Sequence, residues 1–419
     1  MNTTFNVNGI RVVNIKNNSG IAFFGIGILN GSNFENPKVA GISHFIEHMF
    51  FKGTETRNWE QIAREFAKLG VNNNAYTSRT EVLYHATCPK ENLEPVIDLL
   101  MDMFFNSTLP EEEIEKERGV IIEEKKMYDD DPKSVFNDRT LENFIVWEKG
   151  HDTIGTFDTI GSIQRSDMVD YLNTTINFNN FVFVCCGDID TADLRRYIEK
   201  RVPSSHSFLK SGKTNSVSNE LWTAAIDNKA IPSFEYKRDN IEQSSVLRVN
   251  GGLSHFDNCY YTSAMLNKCL GGGMYSSLFA KLREELGLCY SCGLINIPIA
   301  YPHHTINYLY GYTSPNNVDS FIEEGENILK SVIKNGIDSE LFECAKADLL
   351  GSILRRTETS SGKALFLLPR YLFQRGTNVE VVAGKIRDIK IEDCNALVEK
   401  LYNDEGNWAV MNPTGDEEK

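Results

Sequence analysis

Apolar residues along the chain change period several times, and each change marks an element. Ile21–Leu29 is an almost unbroken apolar run, interrupted by Gly25 and Gly27. It is too short to span a bilayer and reads as a buried strand. Helical periodicity follows over about Gly41–Phe50 and Trp59–Leu69, then strand alternation around Asn74–Cys88. Two more helical stretches cover Leu93–Phe105 and Glu111–Tyr128. Pro110 and the acidic residues after it suit a helix start, where the exposed N–H groups favour negative charge. Ile114, Val120, Ile121 and Ile122 give that helix a buried side.

A second series repeats this order. A strand near Ser245–Asn250 precedes a helix at Tyr261–Leu270, the run Gly271-Gly272-Gly273 and a helix at Ser277–Leu286. Strands around Leu288–Ile297 and Asn307–Thr313 lead to helices at Val318–Asn335 and Ser339–Arg355. Strands followed by helix pairs predict an α+β fold of two similar domains, each a largely antiparallel sheet with helices packed on one face. The polar, turn-rich stretch after Pro203 divides the halves, giving a domain over residues 1–208, a linker over 209–230 and a second domain over 231–419.

Composition narrows the function. The 419 residues are 41% hydrophobic and carry a formal charge of −15. That excludes a general nucleic-acid or anionic-membrane binder, which needs a basic surface. Nine irregularly spaced cysteines read as reduced thiols. With no signal-peptide pattern and no membrane-spanning run, the expected location is cytoplasmic.

The chemistry concentrates at His44-Phe45-Ile46-Glu47-His48. On a helix, positions i, i+3 and i+4 share a face. His44 and His48 then point two imidazoles at one ion with Glu47 beside them. A catalytic zinc takes three protein ligands and keeps one open position. Glu117 and Glu124, two turns apart on one face of the long acidic helix, supply a third ligand and a support behind the ligands. Glu47, not needed as a ligand, is the expected general base.

His44-x-x-Glu47-His48 followed by Glu124 resembles the inverted zinc-peptidase motif, and more narrowly the pitrilysin-like (M16) metallopeptidases with their processing-peptidase-like (M16B-type) subunits. Gly41–Met49, Phe51-Lys52-Gly53-Thr54 and Glu117–Glu124 carry the likeness. It implies Glu124 as the third ligand, rather than its neighbour Glu123, and Glu117 as its supporting carboxylate. It further implies that Arg283 and Tyr290, in the stretch from Gly271 to Ser291, reach substrate. Asn74 and Ala75 match an edge strand that pairs with substrate, and Phe51 an aromatic shaping the pocket after the cleaved bond. Leu266–Leu270 stands where a second metal motif would be, so one Zn2+ per chain is expected.

The implied function is a zinc endopeptidase cleaving unfolded or presequence-like peptides inside a closed clam-shell chamber. This chain is one half of such a shell. A homodimer is therefore expected, or a heterodimer with a related subunit. The alternative is a non-catalytic scaffold subunit, against which the intact His44, Glu47, His48 and Glu124 speak. Cys289 and Cys292 have CxxC spacing, but strand alternation predicts opposite faces for them and no redox or metal role.

Overall fold

The structure, a computed structural model, describes residues 2–144, 152–176, 180–202, 233–253, 257–300, 304–373, 377–404 and 406–414. Strands β1 (Asn2–Val7), β2 (Ile10–Lys16) and β3 (Ile21–Ile28) lead to helices α1 (Ile42–Met49) and α2 (Trp59–Lys68). The hairpin β4 (Asn72–Thr77) and β5 (Val82–Pro89) comes next, then α3 (Leu93–Phe105), α4 (Glu111–Asp130) and α5 (Pro132–Phe144). Helices α6 (Phe157–Ser162) and α7 (Arg165–Thr175), strand β6 (Phe181–Gly187) and helix α8 (Thr191–Glu199) follow. The later part holds β7 (Phe234–Arg238), β8 (Ser244–Gly251), α9 (Tyr260–Gly271), a π-helix (Phe279–Glu285), β9 (Cys289–Ala300) and β10 (His304–Thr313). It ends with α10 (Val318–Asn335), α11 (Ser339–Arg356), α12 (Ser360–Leu372), α13 (Val379–Arg387), α14 (Ile391–Tyr402) and β11 (Asn407–Pro413). The linker expected over residues 209–230 lies outside the described residues.

These elements form two compact units, and the units are not two uninterrupted halves of the chain. The first contains β1–β6, α1–α4, α6–α8 and α12, and the second contains α5, β7–β11, α9–α11, α13 and α14. Hydrophobic demand explains both exchanges. Phe136, Leu141 and Phe144 of α5 bury among Leu247, Val249, Ile306 and Met411 of the second sheet. Helix α12 covers a face of β3 that the earlier helices leave open. Ile26 and Ile28 face the main core, whereas Gly27 faces Leu368 and Leu372 so closely that a Cβ there would press into Leu368. Both faces of β3 are thus covered, which is why Ala22–Ile28 is buried throughout.

Among the described residues the first sheet has six strands in the order β1-β2-β6-β3-β5-β4, all antiparallel except the β2–β6 pair. The second has five, β7-β11-β8-β10-β9, with β7–β11 the parallel pair. The α+β class and largely antiparallel sheets therefore hold. Among the described residues strand β4 is an edge, paired on one side only, with Asn74 opposite His85 and Ala75 opposite Tyr84.

Three local expectations change. Ile114 and Ile121 of α4 are buried, but Val120 is 51% exposed, because it lies off the face those two share. The helix expected at Ser277–Leu286 is a π-helix over Phe279–Glu285, a wider coil that apolar spacing does not distinguish from α. Cys289 and Cys292 do not point to opposite faces. A bulge sets Cys289 opposite Thr313 and Ser291 opposite Tyr312, so Tyr290 is the extra residue and the two thiols meet in a buried hydrogen bond. None of the nine cysteines forms a disulfide. No helix among the described residues is long and apolar enough to cross a membrane.

Helix α1 has eight residues, too few to persist alone. Ile42, Phe45, Ile46 and Met49 are each at most 3% exposed. Burial of such side chains stabilises by roughly 2 kcal/mol each. The helix begins at Gly41, whose φ of 90° is left-handed and whose hydrogen packs against the Ile154 carbonyl. Gly41→Ala should therefore lower stability by about 1–3 kcal/mol from backbone strain alone, read as a drop in the urea midpoint. An unchanged midpoint would show that this turn is not strained.

Candidate metal centre

One turn of α1 turns its core residues inward and leaves His44, Glu47 and His48 on the other side. The His44 and His48 rings lie 4.6 Å apart between centroids, inclined at 62°. Helix α4 meets them with Glu124, whose Oε2 is 3.7 Å from His44 Nε2 and 3.5 Å from His48 Nε2. One donor atom from each of the three residues lies within 4.8 Å of the others, and among the described residues no other group of three or more His, Cys, Asp and Glu does so. Glu123, one residue earlier, points to solvent and pairs with Lys126 at 2.7 Å.

A second layer fixes the first. His48 Nδ1 lies 2.9 Å from Glu117 Oε1, and Lys52 Nζ lies 2.5 Å from Glu117 Oε2. With Nδ1 donating its proton to Glu117, His48 directs Nε2 at the cluster. Among the described residues, His44 Nδ1 is buried without a hydrogen-bond partner, and its Nε2 addresses Glu124. Glu47 is buried, and Thr77 at the end of β4 donates from Oγ1 to Glu47 Oε2 at 2.5 Å.

The electrostatics follow from this crowding. Burial pushes the His44 imidazole down to about 4, helped by its neighbour His48. Burial would lower His48 too, but hydrogen bonds to Glu117 and Glu124 and the charge of Glu47 outweigh it and raise His48 to about 9. The cluster therefore favours positive charge at one point. Burial raises the Glu47 carboxyl, with the Thr77 hydrogen bond opposing it. Glu117 sits below the usual carboxylate range despite its burial, because His48 and Lys52 hold it ionised.

The start of α1 is tied from behind. Glu35 is fully buried, and its two carboxyl oxygens accept from the Gly41 N–H at 2.7 Å and the Ser43 N–H at 2.8 Å. These are two of the N–H groups a helix start leaves without intrahelical partners. Ser43 Oγ in turn lies 2.7 Å from Tyr171 Oη.

The other expected site residues fall in two places. Asn74 and Ala75 lie on the free edge of β4, three and two residues before Thr77. Phe51 is half-buried, its ring 6.3 Å from that of Tyr84. Arg283 and Tyr290 belong to the second unit. Arg283 stacks on the Tyr290 ring at 4.9 Å and on Phe279 at 4.6 Å, and Tyr290 is 75% exposed on its bulge. In that unit α9 and α11 are joined by a direct ion pair, Lys268 Nζ to Asp348 Oδ2 at 2.7 Å, with Tyr275 donating to the same oxygen.

Two family models match the chain: one described as insulinase (peptidase family M16) over residues 11–155, and one described as the peptidase M16 inactive domain over residues 162–349. The chain belongs to peptidase family M16. His44, Glu47, His48, Glu117 and Glu124 fall in the first match, and Arg283 and Tyr290 fall in the second. An uncharacterized zinc protease of Bacillus subtilis, YmxG, is 29% identical to this M16 chain over 97% of both chains. An uncharacterized zinc protease of Rickettsia bellii is 28% identical over 91% of this chain and 90% of that one. A protease from Helicobacter pylori has the same fold, with a TM-score of 0.88 at 18% identity over 99% of this chain and 100% of the other.

Sequence reasoning did not single out Thr77, Lys52 or Glu35. Thr77 was visible as an inward polar residue ending an alternating strand. Glu35, buried and far from its partners in spacing, left no periodic signal. Burial lifts its carboxyl from 4.5 to about 8. A carboxyl raised on folding binds its proton more readily in the native state, so its contribution to stability is complete below 4.5 and lost as pH rises through 8. Urea unfolding of chelator-treated protein should show stability falling across pH 5–8, at up to about 1.4 kcal/mol per pH unit from this group. Glu35→Gln should make the slope over this range less negative by that share, and identical slopes in the two proteins would assign the titration elsewhere.

Proposed function

We propose that this chain is a zinc-dependent endopeptidase that cleaves unfolded or presequence-like peptides, with one Zn2+ held by His44, His48 and Glu124. The donor set carries the reading. Tetrahedral zinc at 2.0–2.1 Å from its ligands separates donor atoms by about 3.3 Å, and the Glu124 oxygen stands 3.5 and 3.7 Å from the two imidazole nitrogens. The names of the Bacillus and Rickettsia relatives support zinc as the ion. Zinc in such a site supplies Lewis-acid chemistry, polarising a carbonyl and acidifying water.

The chain's own residues do the rest. Glu117 keeps the His48 proton on Nδ1, and Lys52 keeps Glu117 ionised. Glu47, raised by burial, takes a proton from the attacking water and delivers it to the leaving amine. The free edge of β4 at Asn74 and Ala75 binds an extended peptide by adding it as a strand, which draws affinity from the backbone with little dependence on side chains. Phe51 shapes the pocket beyond the cleaved bond. Arg283 and Tyr290 hold the substrate backbone or the developing oxyanion. Because this chain carries both the metal cluster and the Arg–Tyr pair, a homodimer is the simplest active assembly, with a related subunit as the other possible partner.

Digestion of a quenched peptide, with elemental analysis of each protein, tests this. Glu47→Gln should retain one zinc per chain and lose about 10²–10⁴-fold in rate. His48→Ala should lose zinc. Full activity in the Gln variant would remove Glu47 as the base. Undiminished zinc in the Ala variant would move the metal elsewhere.

A further inference from the structure

We infer that Thr77 is a positioning residue for Glu47: its hydroxyl holds one carboxylate oxygen so that the other is free to work as the base. The inference rests on the peptidase reading above and extends it to a residue outside the metal cluster. Thr77 Oγ1 donates to Glu47 Oε2 at 2.5 Å, the hydrogen bond that the Glu47 side chain makes among the described residues. A carboxylate on a helix turns about its own side-chain bonds, and burial alone does not choose an orientation for it. A single short bond from a fixed donor does.

Thr77 is such a donor. It closes the β4–β5 ladder opposite Val82, and the turn beyond it is locked by Ser78 N–H to the Glu81 carbonyl at 2.8 Å and Glu81 N–H to Ser78 Oγ at 2.9 Å. Its side chain branches at Cβ and has few rotamers to choose among. Ala75 and Thr77 are two residues apart, so they share a face of the strand. The strand whose free edge receives the peptide therefore also carries the hydroxyl that aims the base. Substrate register and base orientation are set by one rigid element, which the near-attack geometry of hydrolysis requires.

Thr77→Val keeps the shape and removes the hydroxyl, and Thr77→Ser keeps the hydroxyl. In the full chain, Thr77→Val should lower kcat by about 10–100-fold, the range for losing an orienting partner. KM for a quenched peptide and zinc content should stay at wild-type values, and Thr77→Ser should recover most of the rate. Crystals of zinc-free Thr77→Val should show the Glu47 carboxylate turned from its wild-type position, with Thr77→Ser retaining it. That structural readout decides the matter without any cleavage. Either a wild-type carboxylate position or a wild-type kcat in Thr77→Val would overturn the inference, as would a rate loss matched by loss of zinc. Glu47→Gln separates the two readings. If that variant is active, the base assignment fails; if it is inactive while Thr77→Val is fully active, only the role of Thr77 fails.

Discussion

A helix of two turns cannot hold itself together in water, and α1 must nevertheless aim three polar side chains to within fractions of an ångström. Its geometry depends on the other face. Ile42, Phe45, Ile46 and Met49 are sunk in the core of the first unit, so the rotation of the helix about its axis is fixed by apolar packing. At 100° per residue, fixing that rotation also fixes where His44, Glu47 and His48 point. The Gly41 turn and the Glu35 carboxyl group then set where along its axis the helix begins.

The polar side follows from the cost of burying charge. Carboxylates and imidazoles taken out of water must find partners or change protonation. Each one here has a partner that also constrains its direction. Lys52 and His48 share Glu117, His48 and His44 share Glu124, and Thr77 holds Glu47. The same network that holds Glu117 and Glu124 ionised and His44 neutral leaves a point between two imidazole nitrogens and a carboxylate oxygen where a cation is the best remaining partner. In the second unit the comparable pair of helices is closed by Lys268 and Asp348, an ion pair that supplies its own cation.

Local spacing made much of this legible. The i, i+4 separation of His44 and His48 already requires a shared face, and the i, i+7 separation of Glu117 and Glu124 requires the same. The observed helices α1, α3 and α4 start and stop within two residues of where apolar period and Pro110 place them. What spacing could not show is where distant segments return. Strands β1 and β2 pair with each other and β2 with β6, but nothing local announces a parallel partner so far along the chain. Helices α5 and α12 each look like a continuation of their own half, yet packing sends each to the other unit. Alternation misplaced Cys289 and Cys292 because one extra residue, Tyr290, reverses the phase of β9. The residues behind the cluster, Glu35 and Thr77, act across long gaps in sequence and become visible only in three dimensions.

Zinc-edge X-ray absorption of the zinc-loaded protein tests the central claim most directly, because it reads the donor atoms themselves. Two imidazole nitrogens and oxygen donors at about 2.0–2.1 Å, with no sulfur shell, are the expected result. A sulfur shell at about 2.3 Å, or the absence of imidazole scattering, would place the ion among the cysteines or elsewhere and contradict the account.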